Sequence, residues 1–199
     1  MTHSDFLDAA MRIVDAEGLD ALTFRRLGEE IGVSYTAVYT YFESRQDLVE
    51  ELAGRMIAQV LASADTSDAT PRGQIISLAM AVRAGMAEHP RALPAFLVSS
   101  REFPGAGDAV AAVIAMLEEA GLSGDELALA YRALESYVFG MTVFDFGAAP
   151  EHLDVRKKRY RSLKHPAFEQ LGRSKHAVAD HNDAAFRRGL ENLVAGFGV

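Results

Sequence analysis

The chain contains no cysteine and no tryptophan, and only six of its 199 residues are proline. Without thiols there is no disulfide framework, no thiolate nucleophile and no cysteine-based metal site. Positive charge is also scarce: 20 lysines and arginines face 28 acids, for a net charge of −8. That balance runs against the basic footprint usual for a nucleic-acid binder. It is sharper in residues 1–50, where four arginines (12, 25, 26, 45) stand against ten acids (5, 8, 15, 17, 20, 29, 30, 43, 47, 50). Long apolar runs are missing too, each being cut by charge or glycine, so no membrane-spanning helix is expected. Met1-Thr2-His3-Ser4-Asp5 lacks the basic-then-apolar order of a secretory signal. A soluble cytoplasmic protein is the expectation. No segment of useful length alternates as a strand would, and no glycine-rich phosphate loop or activated nucleophile set is present. The six histidines (3, 89, 152, 165, 176, 181) form no tight ligand set. These absences argue against an enzyme, and no cofactor or metal is expected.

What is present is a run of short helical signals in a particular order. Phe6, Ala9, Ala10, Ile13 and Val14 form an apolar stripe from about Ser4 to Ala16, with Gly18 as a stop. Thr23 suits the N-cap of a second helix whose Phe24, Leu27 and Ile31 share a face. Gly32 can take the left-handed conformation that ends this helix, and Ser34 can cap the next. Val38 and Phe42 then face inward. Ser44-Arg45-Gln46-Asp47 has the form of a capping box for a fourth helix carried inward by Leu48, Leu52 and Met56. Two short helices separated by so brief a break suit a helix-turn-helix whose second helix enters a DNA major groove.

A polar break at residues 63–72 separates this segment from further helices expected at about 72–87, 91–99, 106–120 and 124–147. Residues 150–181 read as the least regular part, and a final amphipathic helix is expected over about 182–196. The fold expected is all-α: an N-terminal three-helix helix-turn-helix domain (1–50, its connector helix continuing to about 62) joined to a larger helical ligand-binding and dimerisation domain (51–199).

The outward face of Tyr35–Tyr41 carries the candidates for DNA contact. Tyr35, Thr36, Ala37 and Thr40 are the candidates for base edges, the threonines through hydroxyl and methyl and Ala37 through a thymine methyl. Arg25 or Arg26 would supplement them. Thr23, Tyr39, Tyr41 and Arg45 suit phosphates, and Ser34 lies at the start of the recognition helix. The competing reading makes Tyr39 and Tyr41 half-buried packing residues and Arg45 a solvated charge at a helix start.

Ala9-Ala10, Gly18, Leu22-Thr23, Leu27-Gly28, Ile31-Gly32-Val33-Ser34, Val38-Tyr39, Tyr41-Phe42, Arg45 and Leu48 together resemble the tetracycline-repressor (TetR) family of bacterial transcriptional regulators over roughly residues 5–52. The family usually has lysine at the position of Arg45, often histidine at Tyr41 and often threonine at Ala37. Further on, Pro90, Leu93, Glu119–Ser123, Tyr137–Gly140 and Phe186–Phe197 resemble its regulatory domain. The resemblance implies a homodimer through helices near 124–147 and 182–196. It also implies a pocket for a small-molecule effector whose binding weakens operator affinity. The magnesium-chelating arrangement of the tetracycline site has no residue-by-residue match here.

Phe96, Phe103, Tyr137, Met141 and Phe144 are the candidate lining of that pocket, although core packing is the stronger reading for any one of them. Arg83, His89, Glu135 and Asp145 are candidates for a polar end, none singled out by spacing. The one basic run, Arg156-Lys157-Lys158-Arg159-Tyr160-Arg161, reads as a solvated loop. The function expected is a ligand-responsive repressor that binds a palindromic double-stranded DNA operator as a homodimer. The alternative is a helical ligand-binding or scaffolding protein without significant DNA affinity, in keeping with the acidic first 50 residues.

Overall fold

Thr2 starts the first helix, α1 (His3–Glu17), by a reciprocal cap. Its hydroxyl accepts the Asp5 N–H at 3.3 Å while the Asp5 carboxylate accepts the Thr2 N–H at 2.6 Å. That backbone hydrogen bond holds the Asp5 carboxyl below the usual carboxylate range. Phe6, Leu7, Ala9, Ala10, Ile13 and Val14 bury one face of the helix, and Gly18 ends it at a positive φ. The computed structural model describes residues 1–65, 67–98, 106–147 and 149–198, and among them every regular element is helical.

After α1 the order is α2 (Phe24–Ile31), α3 (Tyr35–Val38), α4 (Arg45–Ser63), α5 (Pro71–Glu88), α6 (Leu93–Val98), α7 (Ala106–Glu119), α8 (Gly124–Phe146), α9 (His152–Ser162) and α10 (Lys175–Ala195). Short 3-10 turns occupy Leu19–Ala21, Pro90–Ala92 and Pro166–Phe168. The fold is all-α, with α1–α3 forming the helix-turn-helix. The chain divides into two compact units, Met1–Ala64 with Ala84–Ala112, and Asp65–Arg83 with Val113–Val199. The division falls inside α5 and inside α7.

The first unit closes around Phe6, Ile13, Leu22, Leu27, Val38, Phe42, Leu48 and Leu52, each about fully buried. Phe42 and Phe6 meet edge to face at 6.2 Å between ring centroids. Ala92 and Ala95 join this core, and Arg91 holds the turn before α6 against α1 by donating to the carbonyls of Asp15 and Ala16. In the second unit Phe186, Leu190 and Val194 of α10 pack against Ala130, Leu134 and Val138 of α8, with Ile75, Ala79 and Leu117 completing the cluster.

Two expectations are corrected here. The last helix begins at Lys175, where Ser174 caps it by accepting the Ala177 N–H at 3.3 Å. Val178, Asn182, Phe186, Leu190 and Val194 form an unbroken buried stripe at four-residue spacing, and the polar Asn182 in its middle conceals the stripe in the sequence. Within 150–181, residues His152–Ser162 form α9, so the basic run Arg156–Arg161 lies on a helix rather than in a loop. No residue of α9 is buried, which is why no apolar period announces it.

Candidate nucleic-acid interface

The geometry of α2 and α3 rests on Gly28 and Gly32. The carbonyl of Gly28 accepts both the Gly32 N–H (2.8 Å) and the Val33 N–H (2.9 Å), closing the end of α2. Gly32 makes this possible by adopting φ 83° and ψ 32°. The chain then folds back over Gly28 so closely that a Cβ there would lie 2.8 Å from the Val33 carbonyl oxygen and 3.3 Å from the Tyr35 nitrogen. The start of α3 is therefore fixed by main chain against main chain.

Thr23 caps α2, its hydroxyl accepting the Arg26 N–H at 3.1 Å. Ser34 stands at the N-cap of α3 but makes no capping bond from its side chain; its Oγ lies 2.8 Å from the Thr36 hydroxyl instead. The α-helical part of the recognition segment is one turn, Tyr35–Val38, shorter than the Tyr35–Tyr41 expected. A tight turn follows, in which the Thr40 N–H and hydroxyl both go to the Ala37 carbonyl (3.2 and 2.6 Å). A β-branched residue whose hydroxyl bonds back to the chain competes with helix continuation.

Val38 is the only residue of α3 that is fully buried; Ala37 is half-buried, and Ser34, Tyr35, Thr36, Tyr39 and Thr40 are exposed. Tyr39 is 58% exposed, yet its ring packs near-perpendicular to that of Phe24 with centroids 4.7 Å apart, so packing and exposure coexist in one side chain. Tyr41 lies against Phe6 at 4.3 Å and donates its hydroxyl to the Met1 carbonyl at 3.2 Å. Among residues 34–41 the outward surface is thus built mainly of hydroxyls.

The arginines are differently placed. Arg26 donates to Glu17 (2.6 and 2.9 Å) and to Glu30 (2.9 Å), and Arg12 reaches the same Glu30 at 3.4 Å. Hydrogen bonds from Arg26 and then Arg12 pull the Glu30 carboxyl below its ordinary range. Arg25 makes one surface pair with Glu29 at 3.0 Å and its side chain is 86% exposed. Such a pair contributes little in water, so Arg25 is the guanidinium most readily transferred to a new partner. Arg45 does not lie loose at the start of α4. Its Nε donates to the Leu22 carbonyl (2.7 Å) and its Nη2 to the Leu19 carbonyl (2.8 Å), bracing that helix start against the Leu19–Ala21 turn. Ser44 caps α4 as expected, but the Asp47 carboxylate reaches one residue further back, to the Glu43 N–H at 2.9 Å. The carboxylate partners Glu17 and Glu30 were not singled out from sequence; the i,i+4 spacing of Arg26 and Glu30 was the available signal.

Of the pocket candidates, Tyr137 and Met141 are half-buried on α8, the Tyr137 hydroxyl donating to the Phe186 carbonyl at 2.9 Å. Phe144 is apart from them, 59% exposed with the Arg156 guanidinium 4.1 Å over its ring. Phe103 and the side chain of Phe96 lie outside the described residues. Of the four polar candidates, the structure joins Arg83 and Asp145. Both are buried, and Arg83 Nη2 donates to Asp145 Oδ2 at 2.9 Å. His89 instead pairs with Asp15 in the first unit, and Glu135 pairs with its neighbour Arg132. No group of three or more potential metal ligands comes together among the described residues, and none of their helices is long and apolar enough to cross a membrane.

Comparison with known proteins accounts for both units. Residues 6–52 match "Bacterial regulatory proteins, tetR family", and residues 65–199 match "Tetracyclin repressor-like, C-terminal domain". The chain is 28% identical over 140 residues to the HTH-type transcriptional repressor DrrR1 of Streptomyces coeruleorubidus, covering 70% of this chain and 52% of that one. The match therefore spans about half of that repressor's length. It is 25% identical over 195 residues to the class G tetracycline repressor protein of Vibrio anguillarum, covering 95% and 90% of the two. The fold is shared with a possible TetR family regulator from Streptomyces coelicolor A3(2), at a TM-score of 0.78 and 24% identity over 98% of each chain. It is shared also with Streptomyces coelicolor ActR in complex with actinorhodin, at a TM-score of 0.75 and 21% identity over 99% of this chain and 95% of that one. With a helix-turn-helix clamped through Gly28, and with both units matched, the chain belongs to the tetR family of bacterial regulatory proteins, DNA-binding regulators of transcription.

Proposed function

We propose that the protein is a ligand-responsive transcriptional repressor that binds a roughly palindromic operator as a homodimer and is released by a small-molecule effector. It works in the cytoplasm. The observation that carries this reading is the surface of Ser34–Tyr41, which leaves Tyr35, Thr36, Tyr39 and Thr40 exposed on a segment whose inward side is fixed by Val38 and Phe42. Residues 1–50 supply DNA binding and residues 51–199 supply effector binding and dimerisation.

Tyr35, Thr36, Ala37 and Thr40 face base edges, with Arg25 as the mobile cation and Arg26 as a second. Thr23, Ser34, Tyr39 and Tyr41 meet phosphates, and Arg45 contributes by bracing the start of α4. Two such surfaces about 34–36 Å apart read successive half-sites. Dimerisation runs through α8 and the C-terminal part of α10; Leu129, 71% exposed on α8, is a side chain that such an interface would cover. Effector binding in the second unit, with Tyr137 and Met141 among its lining, favours a dimer spacing that misfits the DNA. A differential affinity of about 3 kcal/mol is enough to shift occupancy more than a hundredfold.

The test is selection of DNA sequences by the full chain, followed by anisotropy titration of the selected palindrome at low salt. Thr36→Ala is expected to alter sequence preference, and Tyr39→Phe to weaken all sequences alike. Failure to select any palindrome refutes the reading. It would favour a helical ligand-binding protein without DNA affinity, a second reading supported by the carboxylates that already occupy Arg12 and Arg26.

A further inference from the structure

The second unit buries a charged chain across four helices. Arg83 (α5) is 2% exposed and donates from Nη2 to Asp145 (α8) and from Nε to Asp183 (α10) at 3.0 Å. Asp145 gives its other oxygen to Arg156 (α9) at 3.0 Å. The guanidinium of Arg83 also lies over two aromatic rings, with its carbon 5.0 Å from the Phe146 centroid and 4.7 Å from that of Phe186. One nitrogen is left over: Arg83 Nη1 is buried and has no hydrogen-bond partner. His152 Nδ1 is in the same condition, and the His152 ring stands edge-on to the same Phe146 ring at 5.4 Å.

A buried guanidinium N–H without an acceptor is costly, because charged donors lose the most on leaving water. Such orphans are rare in folded proteins and mark a missing water, ion or ligand. The two orphans here flank one aromatic ring, in a unit whose half-buried Tyr137 and Met141 supply apolar and polarisable surface. Arg83 is also incompletely compensated. Asp145 divides its charge between two arginines, and the Asp183 side chain is 62% exposed, where water screens it.

We propose that Arg83 Nη1 and His152 Nδ1 form the polar end of the effector site, and that the effector is an apolar molecule presenting an anionic oxygen, a carboxylate or ionised phenol, to Arg83. The assignment rests on the effector-binding reading of the second unit. It adds the ligand's chemical class and the residues that select it. Arg83 imposes an acceptor, because its nitrogen can only donate, and its incomplete compensation by Asp145 and Asp183 favours an acceptor that carries negative charge. Burial pushes the His152 imidazole down from its ordinary value, so it is neutral at pH 7 and its Nδ1 takes a donor or an acceptor according to tautomer. It tolerates a second oxygen of either kind.

The experiment measures binding of benzoate, 2-naphthoate and anthraquinone-2-carboxylate to the full-length chain by calorimetry, each against its carboxamide. At least one carboxylate is expected to bind about tenfold or more tightly than its amide, a charge-assisted bond being about twice as strong as a neutral one. Arg83→Lys keeps a cation beside Asp145 but removes the second nitrogen, and is expected to abolish that preference. His152→Phe keeps the ring beside Phe146 and is expected to reduce affinity while retaining the carboxylate preference. Thermal denaturation of each variant without ligand excludes a folding defect. If no carboxylate outperforms its amide, or if folded Arg83→Lys retains the preference, water alone fills the site and the proposal is overturned. Operator binding by the same samples separates the two readings. An intact operator complex without carboxylate preference sinks only this proposal, whereas Arg83-dependent carboxylate binding without any operator complex sinks only the repressor.

Discussion

Replacing Gly28 by alanine sets two opposed effects against each other. Alanine is favoured over glycine inside a helix by about 1 kcal/mol. Against this, the new Cβ would stand 2.8 Å from the Val33 carbonyl oxygen, 3.3 Å from the Tyr35 nitrogen and 3.4 Å from the Ser34 carbonyl carbon, all of them main chain. No side chain can rotate away, so residues 33–35 must shift as a unit. Overpacking of this kind costs about 1–3 kcal/mol, which outweighs the propensity gain and leaves a net loss of about 1 kcal/mol. For a chain of this size that lowers Tm by about 2–4 °C. Gly107→Ala is the control. Gly107 is helical and exposed on α7, away from the proposed dimer helices, and nothing lies within 4 Å of a Cβ there. The same substitution should then raise stability. Circular dichroism melting of both variants reads the signs directly, and operator titration reads the displacement of α3. If Gly28→Ala melts at or above the parent temperature, the close approach of α2 and α3 is not what requires glycine, and the clamp argument fails.

Arg45→Ala is expected to lower Tm and weaken the operator complex without changing the slope of log K against log salt. A slope reduced by about one unit would instead make Arg45 a direct phosphate ligand. Phe186→Ala should cost about 3–5 kcal/mol in urea unfolding, since the ring is fully buried and is a large member of the second core; a loss below about 1 kcal/mol would contradict that placement. His152 gives a pH dependence with a definite sign. Desolvation lowers its pKa from 6.5, with Asp145 opposing the shift and Lys175 reinforcing it. The neutral ring is thus the form favoured by the fold, and its contribution is complete above pH 6.5 and declines as pH falls through that value toward the folded pKa. His152→Phe should flatten the Tm profile below that point, and an unchanged profile would refute the assignment.

Much of residues 1–64 was legible because its signals are local. Caps at Thr23 and Ser44, the left-handed Gly32 and the inward set Val38, Phe42, Leu48 and Leu52 each depend on neighbours a few positions away. The distant partners of the charged groups were not legible. Arg45 and the carbonyls of Leu19 and Leu22 are more than 20 positions apart, and Arg83 and Asp145 are 62 apart. An arginine amid the apolar Met80-Ala81-Val82 and Ala84-Gly85-Met86 marks a candidate buried charge but does not say what answers it. Helix α9 escaped notice for the opposite reason. None of its residues is fully buried, so they carry no apolar period, and its helical state is fixed by links such as Arg156 to Asp145 and Arg161 to the Gly172 carbonyl.

The ion pairs of Arg12 and Arg26 bear on how the protein finds its site. Because these cations arrive with carboxylates attached, a passing phosphate must evict a resident anion before it can settle. The swap gains little on arbitrary DNA, so sliding contacts stay short-lived. On the proposed base contacts, only a sequence that also satisfies the hydroxyls of Thr36 and Thr40 would tip the exchange, and an otherwise unpromising negative charge would then become a filter against the rest of the genome.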